Sequence, residues 1–74
     1  MGKHLKNKKL LKGISSKLKE LREVKNLTQE DVYNDTGIHI SRIETSKGNI
    51  TVSTLKSLCD YFQISLSDFL KKVE

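Results

Sequence analysis

Between Leu27 and Gly48 the chain carries two short helical signals with almost nothing to connect them, LTQEDVYNDTGIHISRIETSKG, and that crowding leaves few folds open. Leu27 followed by Thr28, Gln29 and Glu30 predicts a helix start. A threonine hydroxyl can accept from the unpaired amides of a first turn, and acidic side chains suit the positive end of the helix dipole. Asn34, Asp35, Thr36 and Gly37 then interrupt the helix. Ile40 and Ile43 restore a three-residue apolar spacing that runs with Arg42 and Glu44 to a second stop at Lys47, Gly48 and Asn49. Two helices joined by so short a link are forced into a tight angle, the geometry of a helix-turn-helix. A second helix of about two to three turns, amphipathic and ending in a basic turn, has the size that enters a DNA major groove.

The chain has 74 residues, enough for one domain with one small core. Such a core is marginal by itself, so a dimer is expected from the outset. No proline, 31% charged and 35% hydrophobic residues place the chain among small all-α domains rather than disordered ones. Cys59 is the single cysteine. It has no disulfide partner and no second ligand at metal spacing, so a reduced intracellular setting without zinc or other cofactor is expected. No apolar run is long enough to span a membrane. The opening MGKHLK has Lys6 where an acylation signal needs Ser or Thr, and no signal-peptide core follows it. A cytoplasmic location is expected.

Charge is unevenly placed. Lys3, Lys6, Lys8, Lys9 and Lys12 precede the first acid, Glu20, whereas from Ile14 onward nine basic residues balance nine acidic ones; the net charge of +5 therefore belongs to the first segment. Residues 1–12 read as a basic N-terminal arm, able to neutralise phosphates in a salt-dependent way or simply to keep the chain in solution. Residues 13–74 read as the domain.

Ile14, Leu18 and Leu21 form an apolar stripe that predicts a first helix with its core from about Ile14 to Lys25. Ser15 or Ser16 would cap it, unless it begins upstream near Lys9, a choice in which only Gly13 argues for a break. Asn26 ends it in the left-handed position and Leu27 turns inward. Ile50 is expected under the following loop. Thr51 or Ser53 caps a fourth helix with Val52, Leu55, Leu58, Cys59 and Phe62 on one face, and Ser65 with Asp68 resembles a capping box for a fifth helix carrying Leu66, Phe69, Leu70 and Val73. The apolar residues of that last helix exceed what one small core needs, which places the expected dimer contact there.

With these segments in order, the chain resembles the Cro and phage-repressor class of helix-turn-helix proteins, the XRE-type regulators. The likeness covers roughly Gly13 to Leu70: GISSKLKELREVKNLTQEDV is similar to that family's first helix and the start of its second, SRIETSKGN to the end of the recognition helix, and TVSTLKSLCDYFQISLSDF to its last two helices. The resemblance implies a compact five-helix, lambda-repressor-like domain that binds specific double-stranded DNA, commonly as a dimer and as a repressor. It also implies that Glu44 pairs with a basic residue of the first helix, for which Arg22 is the candidate.

Between Thr28 and Ile43 the segment is three residues shorter than the family pattern, nearly one helical turn. If helix two lost the turn, it spans about Gln29 to Tyr33, Tyr33 fills the core space left behind, and Thr36 caps a recognition helix from Gly37 to Thr45. If helix three lost it, Gly37 is the turn residue, Ile38 a buried linker, and the recognition helix runs from Ile40 through Ser46. The first is preferred, because it keeps more helix for the groove.

Arg42 is the sharpest candidate contact, since its parallel donors match guanine O6 and N7, although a phosphate or Glu44 would also satisfy it. Ile38 touches a thymine methyl if it leads the helix and is core otherwise. His39 and Ser41 can reach base edges or phosphates. Thr28, Gln29 and Thr36, at amide-rich helix starts, suit phosphates. Lys47 and Asn49 suit the opposite backbone, with Thr45 or Ser46 assisting. Ile40 and Ile43 are expected in the core.

No acid pair flanks a glycine-rich loop, no Ser-His-Asp order suggests itself, and Cys59 is a packing residue, so an enzyme is not expected. Two alternatives stand beside a repressor. One is an antitoxin that also caps a toxin partner and regulates its own operon. The other is an interaction or membrane-surface module led by the basic arm, which has no Trp or Phe and only three Leu for an apolar side, so no membrane partner is expected.

Overall fold

Asn7 starts the first helix, its Oδ1 accepting the Leu10 amide at 2.8 Å. The computed structural model describes residues 7–45 and 50–73. Within them the chain forms five helices and no strand: α1 (Lys8–Val24), α2 (Gln29–Thr36), α3 (Ile40–Glu44), α4 (Val52–Tyr61) and α5 (Leu66–Val73). The upstream start of α1 is the real one, and the boundary drawn between residues 12 and 13 falls inside that helix. Lys8, Lys9 and Lys12 of the basic segment therefore ride exposed on α1, with Leu11 buried between them; residues 1–6 lie outside the described residues. Gly13 does not break the helix. Its missing side chain admits the end of α5, since a Cβ there would stand 3.1 Å from the Val73 carbonyl oxygen.

Neither Ser15 nor Ser16 caps α1. Ser15 is buried, with its Oγ 2.9 Å from the Leu11 carbonyl and 2.6 Å from the Ile43 carbonyl. The second contact ties the buried face of α1 directly to the α3 backbone. Asn26 adopts the left-handed conformation (φ 58°), the Leu27 amide donates to the Arg22 carbonyl and the Asn26 amide to Glu23. That is a Schellman ending, and Gln63 (φ 60°) repeats it after α4.

Three hydroxyls hold helix starts. Thr28 and Asp31 form a reciprocal capping box on α2, and bonds from the Thr28 amide and hydroxyl hold the Asp31 carboxyl below its ordinary range. Thr51, rather than Ser53, caps α4 by accepting from the Thr54 amide, and Ser65 accepts from the Asp68 amide ahead of α5.

Helix α1 packs against α3 and α5, α2 against α3, and α4 against α5. Ile14, Leu18, Val32, Ile40, Leu55, Leu58, Cys59, Phe62 and Phe69 bring all five helices into one core, and burial pushes the Cys59 thiol pKa up. Val52, assigned to the apolar face of α4, instead stands 71% exposed in its first turn.

The preferred placement of the missing turn is corrected. Helix α2 keeps its length to Thr36, Gly37 is the left-handed residue that ends it (φ 75°), and the shortened helix is α3. Thr36 closes α2: its Oγ1 donates to the Val32 carbonyl at 2.7 Å and accepts the Ile38 amide at 3.0 Å, so it caps no recognition helix. Ile38 is the half-buried linker packed against the core, and His39 stands at the start of α3. Tyr33 fills no core space, being 44% exposed.

Tyr61 ties the end of α4 to α2 by donating its hydroxyl to Asp35, which pushes the phenol pKa up to about 12 from a model-peptide value near 10. A pKa raised by folding means stability fully present below pH about 10 and lost as pH rises through about 12. Tyr61→Phe should therefore flatten the alkaline fall of the urea midpoint across that window; a fall as steep as the parent's would mean that the bond is absent in solution.

Candidate nucleic-acid interface

Helix α3 has only five residues, so each has one assignment. Ile40 is fully buried, and Ile43 packs on the core three residues later. Glu44 completes the inner side. Its Oε2 accepts from Arg22 Nε at 2.7 Å, while its Oε1 accepts from Arg22 Nη2 at 3.2 Å and from Gln29 Nε2 at 2.8 Å. Arg22 also donates to the Leu27 carbonyl, and its hydrogen bond with Glu44 raises its pKa further. One ion pair thus joins α1 to α3, with α2 attached through Gln29, and the Arg22–Glu44 pairing implied by the family likeness is present.

What is left of α3 faces outward. Ser41, Arg42 and Thr45 are exposed, as is His39 at the helix start. Arg42 makes no ion pair among the described residues, because Glu44, its neighbouring acid, is held by Arg22. Its guanidinium is available for a partner. Thr45 donates its hydroxyl to the Arg42 carbonyl and closes the helix. His39 makes no capping bond; its imidazole stacks on Tyr33 with ring centroids 4.4 Å apart.

The other candidates divide. Thr28 lies exposed at the start of α2, but its amide and hydroxyl are engaged with Asp31, and Glu30 and Asp31 already place two carboxylates in that first turn. Gln29 spends its side-chain amide on Glu44 and so positions α3. Thr36 and Ile38 are built into the corner between α2 and α3. Lys47 and Asn49, with Ser46, lie outside the described residues. Tyr33 stands at the surface, whereas the shortened segment read as sequence offers its aromatic ring a vacated core. The available signal was its place four residues after Gln29, on the same side of α2.

A family model described as helix-turn-helix matches residues 18–69, from the middle of α1 into α5, which is more than half of the chain. The chain belongs to the XRE-type Cro and phage-repressor helix-turn-helix family. Comparisons with curated proteins and with solved structures find no match. As a helix-turn-helix domain of this family it is a DNA-binding domain, with α2 and α3 as the two helices of the motif. Five residues give α3 a length of roughly 7.5 Å. No helix among the described residues is long and apolar enough to cross a membrane.

Proposed function

We propose that the protein is a transcriptional repressor that binds a near-palindromic operator as a dimer, with α3 in the major groove and α2 crossing the phosphate backbone. The observation that carries this reading is the outward Arg42, without an ion pair among the described residues, on a helix whose opposite side is fixed by Ile40, Ser15 and the Arg22–Glu44 pair. A side chain on a braced helix reaches a base edge with less ordering cost than one on a loop. Arg42 reads a guanine, Ser41 and His39 flank it, and Lys47 and Asn49 contact the backbone. The lysines before Ile14 add sequence-independent attraction.

Dimerisation is supported by α5. Leu66, Leu70 and Val73 are only half-buried, and Leu66 and Leu70 line an apolar groove of about 390 Å³ with Leu10, Ile50 and Val52.

Selection of bound sites from a random duplex library tests the whole reading. Two inverted half-sites are expected, and a single half-site would remove the dimer. Arg42→Ala should flatten preference at one or two base positions in each half-site, a loss of roughly 1 to 3 kcal/mol of discrimination. An unchanged preference would confine Arg42 to the backbone.

A further inference from the structure

A recognition helix of five residues leaves most of a half-site unread, and the exposed surface next to its start belongs to another helix. Tyr33 and Gln29, one turn apart on α2, bracket α3: Gln29 meets Glu44 at its end, and Tyr33 meets His39 at its beginning. Tyr33 is 44% exposed although its neighbour Val32 is fully buried, and its ring lies against that of the exposed residue His39 at an interplanar angle of 29°. Stacking two rings in solvent removes rotamer freedom from both and leaves a flat, rigid, partly apolar edge. Apart from its chain neighbours, a Cβ added at Gly37 in the adjoining corner would meet no atom of the described residues within 4 Å.

We propose that Tyr33 is a specificity-determining residue for DNA, acting with His39 as a stacked pair that supplies the leading end of the reading surface where the recognition helix is one turn short. Its chemistry differs from that of Arg42. Aromatic carbon suits the thymine C5-methyl in the major groove, while the imidazole and phenol hydroxyl carry hydrogen bonds to a base edge or phosphate beside it. The stack holds the His39 ring in place. This inference rests on α3 entering the major groove, and its test separates the two.

The experiment is library selection with the full chain and its Tyr33→Ala, Tyr33→Phe, His39→Ala and Arg42→Ala variants, each checked for an unchanged melting transition, followed by affinity measurements on the selected duplex. Tyr33→Ala is expected to lose preference at positions neighbouring those lost in Arg42→Ala, with a thymine-containing step among them, and to bind its site roughly fivefold to tenfold more weakly, the scale of one base-edge contact. Tyr33→Phe, which keeps the stack, should retain the thymine preference. The Tyr33→Ala and His39→Ala losses should be less than additive when combined, because either change breaks the same pair. An unchanged site preference in Tyr33→Ala, or an equal weakening on all sequences, overturns the proposal even where Arg42→Ala shows that α3 reads bases. Tyr33→Phe behaving like Tyr33→Ala overturns the stacking account. A parent chain selecting no sequence at all would sink the reading of α3 itself, and this inference with it.

Discussion

Phe69→Ala is expected to unfold much of the protein at 37 °C. Phe69 is fully buried where α5 meets the rest of the core, and truncating such a side chain costs roughly 3 to 5 kcal/mol. A chain of this length holds only about 4 to 11 kcal/mol in total. The melting temperature should fall by more than about 12 °C, at 4 to 8 °C per kcal/mol for a small domain. Leu70→Ala on the half-buried side of the same helix should cost markedly less. If both substitutions shift the melting temperature by only a few degrees, α5 is not part of the cooperative unit, and α1 would have to keep Leu18 and Ile14 dry without it. Saturating DNA should restore part of the loss in Phe69→Ala, because a ligand bound to the folded state alone adds stability by mass action.

Glu44→Ala is expected to be nearly as damaging, for a different reason. The pair with Arg22 is almost shielded, with side-chain exposures of 11% for Arg22 and 4% for Glu44, so its loss resembles removal of one partner from a buried ion pair, roughly 3 kcal/mol or more. Removing Glu44 leaves the Arg22 guanidinium with only the Leu27 carbonyl and leaves the Gln29 amide without its acceptor. Replacing both charges at once, Arg22→Met with Glu44→Leu, should recover most of the loss, because apolar packing can substitute for a buried pair without the desolvation cost. Urea midpoints for the two single variants and the double variant measure the coupling directly. Single losses below about 1 kcal/mol would show that the pair behaves like an exposed one and that α3 is held by Ile40 and Ser15 instead. DNA affinity should fall with Glu44→Ala beyond what unfolding explains, since the same contact fixes the end of α3 beside Arg42.

Several parts of this fold are local enough to read from residues. The left-handed ending at Asn26 and the Thr28 cap depend on side chains within a few positions of the helix ends they serve. The stripe Ile14, Leu18 predicts a buried face whatever it packs against, and the observed core contains both. Arg42 is legible too, because the two isoleucines flanking the Ser41–Arg42 pair claim the inside of the helix. Ser15 was not legible. Its hydroxyl serves the Ile43 carbonyl 28 positions away, and nothing near Ser15 announces that partner. Gly13 misled for the same reason, since its lack of a side chain answers the approach of Val73 from the far end of the chain.

By itself the sequence determined how many helices form and that a helix-turn-helix pair lies between Thr28 and Glu44, because periodicity and capping act over one or two turns. Only the tertiary structure decided which helix gave up a turn. Thr36 is chemically able either to start α3 or to lock the end of α2, and Gly37 permits both, so local preference is nearly balanced there. Burial breaks the tie: with α2 kept long, Val32 and Ile40 both reach full burial and Thr36 satisfies the Ile38 amide, while Tyr33 is turned out to meet His39 at the surface.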